Sequence, residues 1–190
     1  KCWQDPKNKA KNTKRRQDPK NRIVERMSHG SRFNFTPSYP SYAGVWFFGL
    51  AGSGKTLASQ IIANRKKRAF VVDGDEVRRL ISFDLGYTPI DRQTQIQRVT
   101  GIAELALKNK LFPIISTVFM TSTILDQNVA KGIAVIEISR PFDQLREVRP
   151  IYDEGVNVMG KDIVQEKLEV SVIHNDGTSN FEQLVIDNVG

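Results

Sequence analysis

The sequence predicts an α/β domain in which about five parallel strands form a sheet that is covered by helices on both faces. Five short apolar runs, typical of buried strands, recur along the chain. Segments with helical spacing of apolar residues separate them, and this alternation is typical of parallel strands joined by crossover helices. A glycine-rich motif that is typical of phosphate binding directly follows the first apolar run.

The charge distribution divides the chain into a basic tail, residues 1–31, and a single domain, residues 32–190. The first 32 residues contain eleven Lys and Arg against three Asp and Glu, whereas the rest contains seventeen against eighteen. The polar composition of the tail predicts disorder, because it offers too little apolar surface to bury. Association with nucleic acid would depend on this tail alone, and we favour a solvated tail over electrostatic attachment to nucleic acid or another polyanion.

Composition excludes several other classes of protein. Cys2 is the only cysteine, which excludes a disulfide framework or a cysteine-rich metal site. No apolar run is long enough to span a bilayer, and the basic N-terminal stretch lacks the apolar segment of a secretory signal. We therefore expect a cytoplasmic protein with no membrane partner. The oligomeric state stays open, with a homodimer among the arrangements considered.

The first predicted strand, residues 44–48, leads into a segment that fits the phosphate-loop pattern G-x-x-x-x-G-K-[ST] in full. Its glycines allow tight bends and a close approach of backbone N–H groups to phosphate oxygens. Lys55 is expected to reach the β- and γ-phosphates, and the Thr56 hydroxyl is expected to bind Mg²⁺. The predicted ATP-binding residues are Gly49, Leu50, Ala51, Gly52, Ser53, Gly54, Lys55 and Thr56.

The remaining elements follow from apolar periodicity and from helix start and stop signals. Further strands are predicted at residues 69–72, 112–119, 133–138 and 170–174. Helices are predicted at residues 55–64, 75–81, 90–110, 123–130, 141–149 and 181–186. The longest helix has an apolar face formed by Ile96, Val99, Ile102, Ala103, Leu105 and Ala106. The polar segment 150–169 is predicted to be a mobile lid. A phosphate loop after the first strand of such a sheet predicts a P-loop kinase fold.

The second predicted strand ends in Asp73-Gly74-Asp75, at the edge of the sheet where ligands bind in doubly wound folds. We expect Asp73 to orient or deprotonate an acceptor hydroxyl and Asp75 to support waters bound to the metal ion. The alternative for Asp75 is a structural role as the N-cap of the following helix.

Between residues 44 and 187 the chain resembles the adenylylsulfate kinase (APS kinase) family. The resemblance depends on the phosphate loop and on motifs that follow it in the order and spacing of that family. These motifs are Val72-Asp73-Gly74-Asp75, Val77-Arg78, Asp84-Leu85-Gly86-Tyr87, Asp91-Arg92, Ile96 and Arg98. The family transfers the γ-phosphoryl group of ATP to the ribose 3′-hydroxyl of adenylylsulfate, so the resemblance implies a kinase that uses ATP and Mg²⁺.

The resemblance also implies roles for individual residues. Asp73 and Asp75 match carboxylates near the metal ion and the accepting hydroxyl. Arg78 and Arg92 match arginines that hold the anionic substrate, and Tyr87 replaces an aromatic residue that stacks on the substrate base. Arg149 matches the arginine at the start of the lid, where it would close over the phosphates.

Several positions depart from the family pattern on the acceptor side. Gln95 replaces a substrate-contacting Asn, and Gln97 replaces the first of two consecutive arginines, of which Arg98 is the second. The stretch 121–124 lacks an arginine of the family, the lid lacks its lysine, and Val158 replaces a stacking Phe. Arg98 either binds the acceptor anion or belongs to a solvated helix face.

We therefore predict a kinase for a small nucleotide-like acceptor, with adenylylsulfate as the favoured acceptor. Related kinases phosphorylate other nucleotide conjugates such as cytidine diphosphoramidate, and this acceptor is one alternative. A nucleotide-binding regulatory protein without turnover is another, and a nucleic-acid-associated protein that uses the basic tail is the third.

Overall fold

The computed structural model describes residues 41–178 and 180–189, and the predicted basic tail lies outside this part of the chain. Five parallel strands form one sheet in the order β2-β3-β1-β4-β5. The strands are β1 (Gly44–Phe48), β2 (Ala69–Asp73), β3 (Phe112–Thr117), β4 (Ile133–Ser139) and β5 (Ser171–His174). The predicted parallel α/β sheet is thus confirmed, and the P-loop kinase fold agrees with the structural relatives described below.

Seven helices lie within the described ranges. They are α1 (Lys55–Ala63), α2 (Gly74–Leu80), α3 (Pro89–Lys108), α4 (Ser122–Ala130), α5 (Phe142–Val148), α6 (Ile151–Glu154) and α7 (Phe181–Val189). α3 begins with a capping box, in which Thr88 and Asp91 satisfy each other's backbone N–H groups, and Pro89 is in its first turn. No helix in these ranges is long and apolar enough to cross a membrane.

β1 is the centre of the core because it is buried on both faces. Val45 and Phe47 pack on one side of the sheet with residues of α1 and α7. Trp46 and Phe48 pack on the other side with residues of α3 and α4. All five residues of β1 are buried, as expected for a central parallel strand between two layers of helices. This packing fixes the position of the loop that follows Phe48.

Three details of the sequence prediction are wrong. Leu105, assigned to the buried face of the longest helix, is 60% exposed because the apolar stripe of α3 runs through Ile96, Val99, Ala103 and Ala106. β3 ends at Thr117 and not at residue 119. Pro141 is the N-cap of α5, which begins at Phe142, so the proline lies before the first turn and not in it.

The predicted lid, residues 150–169, contains the short helix α6 and an apolar anchor that the polar composition did not indicate. Tyr152, Val158 and Met159 are buried, and an isolated bridge joins Met159 to Ile163. Gln165 also hydrogen-bonds through its amide group to both the N–H and the C=O of Met120. These contacts attach the segment to the rest of the domain at two places. Its mobility stays a prediction.

Candidate active site

The phosphate loop has a backbone that only glycine allows at two positions. Gly49 has a φ of 146°, and a Cβ placed there would lie 2.2 Å from the carbonyl oxygen of Ile138. Gly54 has a φ of 107°, and its Cβ would lie 2.4 Å from Nδ2 of Asn175. Any side chain at either position would force β4 or Asn175 away. The loop therefore turns tightly between β1 and α1.

Lys55 is the first residue of α1, and its side chain is held inside the loop. Its Nζ donates a hydrogen bond to the carbonyl oxygen of Leu50 at 2.8 Å. Burial lowers the pKa of Lys55 to about 8, although the nearby carboxylates of Asp75 and Asp73 oppose this effect. The ammonium group is thus placed where the backbone N–H groups of the loop can share a bound phosphate with it.

Asp73 is the N-cap of α2, and hydrogen bonds occupy both of its carboxylate oxygens. Oδ1 accepts from the N–H groups of Asp75 at 2.9 Å and Glu76 at 3.4 Å. Oδ2 accepts from the hydroxyl of Ser116 at 2.8 Å. The alternative that Asp75 is the N-cap of this helix is therefore wrong, because the N-cap is Asp73, two residues earlier.

Asp75 lies in the first turn of α2, with an exposed side chain. Its carboxylate has no hydrogen-bond donor within the described part of the chain, in contrast to Asp73. Both carboxylates line one cavity of about 680 Å³, together with Lys55 and Thr56. Of the two, Asp75 has the oxygens that are available to a ligand.

The cavity extends from the phosphate loop to α2, α3 and the lid segment. Five cationic side chains line it against the two carboxylates, and they are Lys55, Arg78, Arg79, Arg92 and Arg149. An excess of positive charge in a cleft favours an anionic ligand. Apolar side chains from the lid and from the loop before α3 complete the lining, among them Phe83, Tyr87, Val158 and Met159.

Arg78 and Arg92 both lie close to the ring of the predicted stacking residue, Tyr87. The guanidinium carbons lie 4.6 Å and 5.6 Å from the centroid of its ring, within the range of cation–π contacts. Arg78 also donates to the carbonyl oxygen of Gly86. Tyr87 itself is 53% exposed, so its ring is accessible to a ligand as well as to the two arginines.

Arg92 is buried and connects α3 to the lid segment. One terminal nitrogen donates to the carbonyl oxygen of Asn157 at 2.7 Å, while its buried Nε has no hydrogen-bond partner within the described residues. Burial, and secondarily the charge of Arg78, lower the pKa of Arg92. A buried donor without an acceptor is unfavourable, and an anionic group in the cavity would relieve this cost.

Gln95 lines the same cavity from the next turn of α3. Its Nε2 donates to the carbonyl oxygen of Gly74 at 3.0 Å, which ties α3 to the start of α2. Its Oε1 is buried and finds no donor among the described residues. The amide therefore supports the Asp73-Gly74-Asp75 turn, and its buried acceptor is left without a donor within the described residues.

Arg149 and Arg98 have different locations. Arg149 follows α5 and lines the cavity above the phosphate loop, where its Nε would lie 3.4 Å from a Cβ on Gly52. Arg98 does not line the cavity. Both of its terminal nitrogens bind the carboxylate of Asp84, at 2.5 Å and 2.7 Å. This pairing raises the pKa of Arg98 and lowers that of Asp84.

Three residues that support the site were not identified from the sequence. Ser116 holds Asp73, as described above. Asn175 donates from Nδ2 to the carbonyl oxygen of Ser53 at 2.7 Å, and the Tyr152 hydroxyl donates to the carbonyl oxygen of Ala51 at 2.8 Å. The latter two bonds fix the phosphate loop from positions more than 100 residues away along the chain. In the sequence, the position of Asn175 directly after an apolar strand is the feature that could have indicated its role.

The cavity offers oxygen ligands that suit a magnesium ion. The Thr56 hydroxyl and the carboxylates of Asp73 and Asp75 all line it. No group of three or more His, Cys, Asp and Glu side chains that could hold a metal occurs within the described ranges. Magnesium fits this arrangement, because it commonly uses one or two protein oxygens together with water and substrate phosphates.

The family model and several similar proteins are adenylylsulfate kinases. The family model of adenylylsulphate kinase matches residues 42–142. The chain is 36% identical over 78 residues to the adenylyl-sulfate kinase of Pseudomonas aeruginosa. These aligned residues cover 39% of this chain and 40% of that protein. It is 28% identical over 161 residues to the adenylyl-sulfate kinase of Clostridium acetobutylicum, which covers 76% of this chain and 80% of that protein.

The fold is similar to that of a solved structure of the Mycobacterium tuberculosis APS kinase CysC in complex with AMPPNP and APS. The TM-score is 0.68 at 22% sequence identity, with 79% of this chain and 99% of that chain covered. The family model covers more than half of the chain and includes the phosphate loop, Asp73, Asp75, Arg78 and Arg92. The chain therefore belongs to the adenylylsulphate kinase family.

Proposed function

We propose that the protein is a kinase that uses ATP and Mg²⁺ to phosphorylate the 3′-hydroxyl of adenylylsulfate. The observation that carries the proposal is a single cavity with two chemically different ends. Lys55 and the phosphate loop line it together with Arg78, Tyr87 and Arg92, and Asp75 is close enough to interact electrostatically with both Lys55 and Arg92. This arrangement is suited to phosphoryl transfer between two bound anions.

The phosphate end would hold the triphosphate. Backbone N–H groups of the loop and the N-terminus of α1 would bind phosphate oxygens, and Lys55 would leave Leu50 to bind the β- and γ-phosphates. Arg149 would add positive charge from the lid side. Thr56 would bind Mg²⁺ directly and Asp73 would hold waters of the ion, which neutralises charge on the transferring group when it is bound.

The acceptor end would hold adenylylsulfate through charge and stacking. Arg78 and Arg92 would bind the anionic phosphosulfate group, because guanidinium groups offer paired donors. The exposed ring of Tyr87 would stack on the adenine. Gln95, with an unpaired Oε1, would accept a hydrogen bond from the acceptor or from a bound water.

We propose that Asp75 accepts the proton of the acceptor hydroxyl and that Asp73 has a positioning role. A general base needs a lone pair that is directed to the proton it accepts. Asp75 has free oxygens, whereas three donors already occupy those of Asp73. Asp73 would position α2, and thereby Asp75, while remaining within reach of waters bound to the metal ion.

The test is an acceptor panel with purified protein, Mg²⁺ and ATP, in which formation of the phosphorylated acceptor is measured directly. We expect transfer to adenylylsulfate, and loss of this transfer in Lys55→Ala at unchanged thermal stability. Transfer to cytidine diphosphoramidate with none to adenylylsulfate would overturn the acceptor but keep the kinase. Tight ATP binding without transfer to any acceptor would indicate a regulatory nucleotide-binding protein instead.

A further inference from the structure

We propose that the edge of the sheet opposite the cavity binds the phosphate backbone of a nucleic acid. At this edge strands β2, β3 and β4 begin, and helices α1, α3 and α4 end. Seven cationic residues lie in these helix ends and the turns that follow. This surface, called the basic edge below, consists of Arg65, Lys66, Lys67, Arg68, Lys108, Lys110 and Lys131.

Direct contacts join the turn after α1 to the turn after α3. Arg68 donates from a terminal nitrogen to the carbonyl oxygen of Asn109 at 2.8 Å, and the N–H of Phe112 donates to the carbonyl oxygen of Arg68 at 2.9 Å. Lys66 Nζ lies 5.2 Å from the centroid of the Phe112 ring. The cations of the two turns therefore belong to one continuous surface.

Few carboxylates neutralise this surface. Glu104 accepts both Lys108 and Lys131, each at 3.1 Å, and Glu182 pairs with Arg65. Lys67 and Lys110 are exposed and make no ion pair within the described part of the chain. The basic edge thus keeps a positive excess, and phosphate groups of a polyanion would bind to it with release of counterions.

Favourable interaction with helix dipoles explains why cationic residues occur at helix C-termini. It does not explain why two of them have a positive φ angle. Arg68 and Lys110 have φ angles of 60° and 58°. Lys110 ends α3 in a Schellman motif, in which its own N–H binds Leu107 and the N–H of Leu111 binds Ala106, both at 2.9 Å. Glycine is the usual residue there. A cation occupies a position where helix stability favours glycine.

The sequence before Ala43 favours a nucleic acid as the partner. The N–H of Ala43 donates to the carbonyl oxygen of Gly132 at 2.9 Å, directly beside Lys131 in sequence. The sequence has eight more Lys and Arg than Asp and Glu in residues 1–32, followed by the aromatic residues Phe33, Phe35 and Tyr39. Cations bind phosphates and aromatic rings stack on bases, so a nucleic acid suits both features.

The test compares the full chain with a Lys67→Gln/Lys110→Gly variant, using fluorescence anisotropy of a labelled single-stranded oligonucleotide at about 50 to 200 mM salt. The variant is expected to bind about tenfold more weakly, and the slope of log K against log salt is expected to fall by about two. Its kinase activity should be unchanged. Lys110→Gly also removes an unfavourable φ, so unfolding cannot explain the loss.

The matched control is Arg140→Gln/Arg146→Gln, which removes the same charge beyond the opposite end of β4. It should bind the oligonucleotide like the unaltered chain. Equal binding by both double variants and the unaltered chain would overturn the proposal, since the folded surface would then contribute nothing. Binding to vesicles of phosphatidylserine in place of the oligonucleotide would also overturn it, and would assign the basic edge to an anionic membrane surface.

Discussion

The hydroxyl of Ser116 donates a 2.8 Å hydrogen bond to Oδ2 of Asp73 and so connects β3 to the cap of α2. With Oδ1 bound to two backbone N–H groups, Asp73 is held by three donors, whereas Asp75 two residues later is free. The two carboxylates of one motif therefore have separable contributions to stability and to turnover.

Asp75→Asn is expected to lower kcat by about 10² to 10⁴-fold, because it removes the proposed general base, while Tm stays unchanged. Asp73→Ala is expected to lower the free energy of unfolding by about 1 kcal/mol, because α2 loses its N-cap. Steady-state kinetics and thermal melts of both variants check this. The assignment fails if Asp75→Asn retains full kcat.

Ser116→Ala is the matched control for the positioning role. It removes one of the three donors to Asp73 and leaves the caps to Asp75 and Glu76 in place. We expect a smaller loss of kcat than in Asp75→Asn and little change in KM for ATP. A loss as large as that of Asp75→Asn would move the reacting carboxylate to Asp73.

Binding of ATP is expected to take up a proton above pH 8. Burial lowers the pKa of Lys55 to about 8 in the free protein, so the lysine is increasingly neutral as pH rises through that value. Bound phosphates favour the ammonium form and raise its pKa again. The Kd for ATP should therefore increase by up to about tenfold per pH unit above 8.

Calorimetry in buffers of different ionisation enthalpy measures this proton directly. Lys55→Met provides the control, since it has no ammonium group and should bind ATP weakly without the pH dependence. In the free protein the same shift makes stability rise with pH between about 8 and 10.5, because the unfolded chain binds the proton more tightly than the folded one. A Kd that is independent of pH up to 9.5 would contradict the prediction.

Arg92 and Arg98 should differ sharply in their effect on the acceptor. Arg92→Gln is expected to raise KM for the acceptor by about 10- to 100-fold, because Arg92 lines the cavity and has a buried, unpaired Nε. Arg98→Gln should change this KM by less than about twofold, because Arg98 pairs with Asp84 outside the cavity.

Both variants remove one arginine from the same helix, so each serves as the charge control for the other. Measurements at varied acceptor and saturating ATP separate the acceptor effect from nucleotide binding. An equal rise in acceptor KM for both would show that long-range charge, and not contact in the cavity, determines affinity. In that case the assignment of Arg92 to the acceptor end of the cavity would be wrong.

Gly101→Ala is expected to stabilise the protein. Gly101 lies in the interior of α3, is exposed, and would have no atom within 4 Å of an added Cβ. Alanine is favoured over glycine in a helix interior by about 1 kcal/mol, which corresponds to an increase in Tm of about 2 to 4 °C. Thermal unfolding measures this. No increase, at unchanged helix content, would contradict the prediction.

The sequence predicted the elements that have a strong local signal. The apolar runs predicted all five strands, but only β1, β3 and β4 are mostly buried, because β2 and β5 lie at the edges of the sheet and are largely exposed. The glycine pattern predicted the phosphate loop. Leu105 was assigned wrongly because it is adjacent in sequence to a residue of the buried stripe, and apolar periodicity cannot distinguish two neighbouring positions. Packing alone determines which of them is exposed.

The site was less predictable where its residues act through contacts between distant parts of the chain. Three supporting residues, Asn175, Ser116 and Tyr152, are of common types and have no distinctive local sequence. Their roles depend on hydrogen bonds to residues that are far away in the sequence. Arg98 shows the opposite case. The family resemblance suggested that Arg98 binds the acceptor anion, with a solvated helix face as the alternative, and a bidentate contact with Asp84 holds it outside the cavity.

The central position of β1 has a consequence for the order of folding during synthesis. β1 pairs with β3 and β4, which leave the ribosome some 65 or more residues later. The phosphate loop rests on Ile138 of β4 and on Asn175, which directly follows β5. Early in translation the Gly49–Thr56 segment therefore has neither its neighbouring strands nor its support. The nascent chain acquires nucleotide-binding ability only after β4 and Asn175 have been synthesised, so retention of nucleotide reports that β1 has paired with both of its neighbouring strands.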